Sequence, residues 1–120
     1  MPPELYSVAV FVTDIDRAKT FYRDQLGLTL TKQGSFGAEF CEGEAHLGVH
    51  PAVHPDALAL VGRHTGITLR VPDLLAFCER LHDAAVHFVA PPTRQSFGVM
   101  AMIADPDGNV IALWDDSVPE

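Results

Sequence analysis

At 120 residues the chain has the length of one domain, enough to bury a core without disulfides or metal. Its 48% hydrophobic and 20% charged content fits a globular protein, no apolar run is long enough to span a bilayer, and Met1-Pro2-Pro3-Glu4 lacks a signal pattern, so a cytoplasmic location is expected. Eight basic against sixteen acidic residues give a formal charge of −8, which argues against nonspecific binding to nucleic acid or anionic membrane.

Residues 5–12 are rich in β-branched and aromatic side chains and read as a strand. Asp14 is positioned to cap a helix, in which Ile15, Ala18, Phe21, Tyr22 and Leu26 fall on one face, with Gly27 as the stop. Residues 28–33, 36–42 and 45–50 read as three short strands divided by Gly34 and by Glu42-Gly43. His50 to Gly62 holds two prolines and no period, and reads as a linker. The pattern then restarts. Ser7-Val8-Ala9-Val10-Phe11-Val12-Thr13-Asp14 returns 59 positions later as Gly66-Ile67-Thr68-Leu69-Arg70-Val71-Pro72-Asp73. A helix over 74–85 follows, with Asp73 as cap and Leu74, Phe77, Cys78, Leu81 and Ala85 inward. Strands are expected near 86–89, 97–104 and 109–115, with Pro91-Pro92 breaking the first pair and Asp105-Pro106-Asp107-Gly108-Asn109 forming a turn. The fold class is therefore α+β: two β-α-β-β-β modules, about 1–50 and 64–120, joined by a linker of about 51–63 within one domain.

Side chains alternate across a strand, so parity sorts the two faces of each sheet. Val8, Val10, Val12, Leu47, Val49, Ile67, Leu69, Val71, Ile111 and Leu113 form an aliphatic set that the helices must cover. The opposite parity holds Ser7, Ala9, Phe11, His46, Gly48, His50, Gly66, Thr68, Arg70, Val110, Ala112 and Trp114. Its gaps, few polar groups and large rings suit a small-molecule pocket; a partly solvated face without a ligand is the plainer alternative. Arg70 would suit a carboxylate or phosphate, or would pair with a nearby acid. His46 or His50 would suit a general base, and Phe11 and Trp114 would wall a ring-bearing ligand. Cys41 and Cys78, 37 residues apart, read as buried free thiols.

Val10-Phe11-Val12-Thr13-Asp14-Ile15, Ala18, Phe21-Tyr22, Leu26-Gly27-Leu28 and the late Asp105–Asn109 turn resemble the vicinal oxygen chelate superfamily, which includes glyoxalase I, extradiol dioxygenases and bleomycin resistance proteins. The resemblance covers the whole chain. It implies paired βαβββ modules, a cupped mixed sheet with helices on its convex face, and a homodimer. It also implies that up to four side chains hold a divalent metal in the family's enzymes. The matching positions here are Ser7, a place near Gly48, Gly66 and Ala112, which offer no imidazole and no carboxylate. On that alignment no metal and no cofactor is expected. At Gly48 a shift of one or two residues would bring in His46 or His50. These two share a strand face but lie roughly 13 Å apart along it, and either could still join His64. The expected function is metal-free binding of a small organic molecule, an antibiotic or other ring-bearing compound, by Ser7, Phe11, His46, His50, Thr68, Arg70 and Trp114. The alternatives are a lyase, isomerase or dioxygenase with a relocated metal or metal-free acid–base chemistry, and an interaction module without a ligand.

Overall fold

The first strand forms where the β-branched run begins to alternate between core and face. The computed structural model of the protein describes residues 2–117. Its contacts divide into two units, with the boundary between Gly62 and Arg63. In the first, β1 (Ser7–Val12) is followed by a short helix α1 (Ile15–Lys19), then β2 (Leu30–Gly34), β3 (Gly37–Phe40), β4 (His46–Pro51) and a one-turn helix α2 (Pro55–Leu58). The sheet order is β1-β4-β3-β2, with β1 parallel to β4 and the other pairs antiparallel. Leu5 and Tyr6 lie outside the strand expected over 5–12 and are exposed, although the Tyr6 carbonyl still accepts from His46 N at 2.9 Å.

Asp14 caps as expected: its Oδ1 accepts from the backbone N–H of Asp16 and Arg17, both at 3.1 Å. The helix does not remain an α-helix to its end. Thr20–Gln25 is a π-helical segment, closed by Leu26 N–H donating to the Phe21 carbonyl and Leu28 N–H to that of Tyr22. Gly27, at φ +88°, then reverses the chain. The core of this unit packs Phe21, Tyr22 and Leu26 against Val10, Val12, Phe40 and Val49, with Phe21 edge-on to Tyr22 at 4.9 Å. The stretch expected to be an irregular linker contains α2, capped by His54 Nδ1 accepting from Asp56 N, with Pro55 at its first turn.

The second unit repeats the plan with β5 (His64–Arg70), α3 (Leu74–Asp83), β6 (His87–Gln95), β7 (Gly98–Ala104) and β8 (Val110–Asp115). Its order is β5-β8-β7-β6, again with one parallel pair, β5 with β8. Both sheets are mixed, so the α+β assignment holds. Leu74, Cys78 and Leu81 of α3 bury against Val99, Ala101, Ile103, Ile111 and Leu113. Ile67, Leu69 and Val71, expected to be covered, are only half-buried, because α3 packs mainly on β6 and β8.

Three expectations are corrected here. Asp73 sits in the left-handed region at φ 52° and its side chain makes no capping bond; the buried Asp115 carboxylate reaches from β8 to accept from Leu74 N at 3.1 Å instead. Ala85 is not inward: α3 ends at Asp83, and Ala85 turns outward at φ 62°. Pro91-Pro92 does not break β6, which runs through both prolines, the irregularity being absorbed as register shifts between Phe88 and Ala90 and between Ala90 and Thr93.

The turn before β8 forms as read. Asp105 Oδ1 accepts from Asp107 N and Asn109 N, its Oδ2 accepts from Asn109 Nδ2, all at 2.9 Å, and Gly108 takes φ +88°. This closes the turn that starts β8 and fixes which of its residues face each side.

Candidate functional site

In each unit the face opposite the core is built by the same register. In the first, Ser7 lies opposite His46, Ala9 opposite Gly48 and Phe11 opposite His50. Glu39 pairs with Gly48 on one side and Lys32 on the other, so it belongs to this face too. Glu39 is absent from the residues picked out by sequence, because only β1 and β4 were sorted by parity in this half. Extending the same alternation across β3 would have found it.

The histidines of this face are held by their Nδ1 atoms. His50 Nδ1 lies 2.9 Å from the Phe36 carbonyl and His46 Nδ1 lies 3.2 Å from that of Cys41. A carbonyl only accepts, so Nδ1 carries the proton in both, and in the neutral ring Nε2 is left as an acceptor. The His50 ring folds over Gly48: a Cβ built on Gly48 would stand 2.8 Å from His50 Nε2. Glycine therefore gives the imidazole its resting place. Phe11 and Phe36 flank the ring, with centroids at 6.0 and 6.3 Å, and Tyr6 packs edge-on to His46 at 5.4 Å. Phe11, His46 and His50 are half-buried and Ser7 is exposed.

The second unit places Thr68 opposite Ala112 and Arg70 opposite Trp114, with Met102 beyond Ala112 and Met100 beyond Trp114. Trp114, Met100 and Met102 are half-buried and make a soft apolar floor. The two methionines were also outside the predicted set, for the same reason as Glu39. Thr68 and Arg70 are exposed, and Arg70 Nη2 pairs with Asp116 Oδ2 at 3.3 Å. The predicted residues thus fall into two groups: Ser7, Phe11, His46 and His50 on one sheet, and Thr68, Arg70 and Trp114 on the other. A groove of about 630 Å³ between α3 and β6, lined by Leu75, Cys78, His82, Phe88 and the two prolines, contains none of them.

The four positions that would carry a metal in the resembling enzymes fail on donor chemistry. Gly48 and Gly66 have no side chain, Ala112 has a methyl group, and Ser7 offers one exposed hydroxyl. A divalent ion needs several N, O or S ligands at about 2.0–2.6 Å. His64 does not supply the lack: its Nδ1 accepts from Gly66 N at 3.3 Å. Among the described residues no group of three His, Cys, Asp or Glu side chains is placed to share an ion. Cys41 and Cys78 are free thiols whose pKa is raised by burial, which keeps them protonated and unreactive. No helix among the described residues is long and apolar enough to cross a membrane.

The sequence pattern of the Glyoxalase/Bleomycin resistance protein/Dioxygenase superfamily matches residues 5–113, and the chain belongs to that superfamily. Among solved structures it is similar to TnmS3, an antibiotic binding protein from Streptomyces sp. CB03234, with 29% identity over 96% of this chain and 97% of that one and a TM-score of 0.79. It is similar to UcmS2 at 26% identity, covering 95% of this chain and 98% of the other, with a TM-score of 0.82. It is also 25% identical to the uncharacterized protein YetH of Bacillus subtilis strain 168, across 94% of this chain and 98% of YetH.

Proposed function

We propose that the protein binds a small ring-bearing organic molecule on these sheet faces without using a metal, and so sequesters an antibiotic or a similar compound. The observation that carries this reading is the donor set. The positions at which a metal-binding relative would hold an ion are Ser7, Gly48, Gly66 and Ala112, while their neighbours are rings and soft apolar groups: Phe11, His50, Trp114, Met100 and Met102. Such surfaces stack on a planar guest and give it few fixed polar contacts. The likeness to TnmS3 over nearly the whole of both chains supports an antibiotic as that guest. A homodimer and a cytoplasmic location belong to the same proposal.

The second reading, a metal-free lyase or isomerase, rests on His50. Its Nδ1–H is anchored by the Phe36 carbonyl, so Nε2 is set up to take a proton from a bound substrate.

The test is a titration with bleomycin and a panel of aromatic antibiotics, followed by the fluorescence of Trp114, the sole tryptophan, and by thermal shift. A compound present at about 100 times its dissociation constant should stabilise the fold by about 2.7 kcal/mol. Stoichiometric Zn, Ni, Fe or Mn in purified protein, lost on substituting His46, His50 or His64, would overturn the proposal in favour of a metalloenzyme.

A further inference from the structure

The overall charge favours a cationic guest and Arg70 an anionic one, and the structure separates the two. Arg70 is exposed at an edge strand and its guanidinium is engaged by Asp116 at 3.3 Å. Glu39 is different. It lies on an inner strand, β3, half-buried, and it pairs with Gly48, over which the His50 ring folds. His50 Nε2 lies over Gly48, and with Nδ1 bonded to the Phe36 carbonyl it is the acceptor of the neutral ring. An anionic acceptor, Glu39, thus shares this face with the His50 acceptor and the two aromatic rings that flank it. That combination recognises a positively charged hydrogen-bond donor. The chain seats its own cation at this edge: Lys32, which lies opposite Glu39 across β2 and β3, holds its ammonium over the Phe36 ring, 5.8 Å from the centroid, so a guest ammonium competes with Lys32 there.

We propose that the sheet face of the first unit binds the ammonium group of a cationic aromatic amine, with Glu39 compensating the charge and His50 Nε2 accepting from the N–H. This rests on the small-molecule reading above and narrows its ligand class.

The test uses three probes that share one ring: tryptamine, its neutral N-acetyl derivative, and the anionic indole-3-propionate, each titrated calorimetrically into the full chain. Tryptamine is expected to bind about tenfold more tightly than either of the others, as befits a charged hydrogen bond. Glu39→Gln should bring tryptamine down to the level of the N-acetyl probe and leave that probe unaffected, with the melting temperature showing that the fold is kept. Gly48→Ala, which displaces the His50 ring, should weaken tryptamine binding with Glu39 intact. Equal binding of all three probes, or a tryptamine preference that survives Glu39→Gln, overturns the charge assignment while the small-molecule reading stands. Failure of every ring compound, including the antibiotic panel, overturns both.

Discussion

Asn109 should be the most informative residue in the late turn. It is fully buried (0% exposed), and its Nδ2 donates at 2.9 Å to Oδ2 of the buried Asp105 carboxylate. Asn109→Ala removes that donor from the Asp105 carboxylate. Hydrogen bonds to charged groups contribute about 1.5–3 kcal/mol. An unfolding entropy of about 2.1 cal/mol/K per residue gives about 0.25 kcal/mol/K for this length, so Tm should fall by about 6–12 °C. Circular dichroism melts at pH 7, with a urea titration to check that the m-value is unchanged, read this directly. Asn109→Asp should be worse at pH 7, because the introduced carboxylate faces Asp105. A Tm within about 2 °C of wild type for Asn109→Ala, well inside the shift argued from the lost bond, would refute the idea that this contact holds the turn.

Two further outcomes follow from equally local geometry. Gly37 has φ +122° and a Cβ there would stand 2.1 Å from the Val49 carbonyl oxygen, so Gly37→Ala should cost more than about 3 kcal/mol or abolish soluble expression; a wild-type urea midpoint would contradict the assigned backbone. Asp115 accepts hydrogen bonds from the Ser117 side chain, from Ser117 N and from Leu74 N, which hold its carboxyl below the usual range. A depressed folded pKa means stability present above the unfolded pKa and lost on acidification. The Tm gap between wild type and Asp115→Asn should therefore be wide at pH 7 and close below about pH 4; a gap that does not change with pH would show that the charge is irrelevant.

Much of the fold was legible because its signals are local. The strand-to-Asp14 cap, the Gly27 stop and the Asp105–Asn109 turn each depend on residues within a few positions of one another, and each is found as read. What failed depends on distant partners. Nothing near Asp73 says that Asp115 will cap α3 from 41 residues away. Nothing near Pro91-Pro92 says that β7 will carry β6 past them by shifting register. The π-helical turn at Thr20–Gln25 arises inside a sequence with ordinary helical spacing. On β1, β4, β5 and β8 the register pairs residues of the same parity set as read, although Ile67, Leu69 and Val71 of the aliphatic set are only half-buried. Glu39, Met100 and Met102 were missed on the inner strands β3 and β7, although the rule that finds them is the same. His50 was named as a possible base, but its tautomer needs the Phe36 carbonyl, 14 residues earlier, to be in place.

The two consecutive prolines in β6 have a consequence for self-association. β6 ends its sheet, and a terminal strand is ordinarily a template on which another chain can add. Prolines carry no backbone N–H, and successive N–H groups of a strand point to opposite sides, so the pair removes one donor from this border, and the shifted register bends what is left. Stacking of copies edge to edge into fibrils is thereby discouraged at that border.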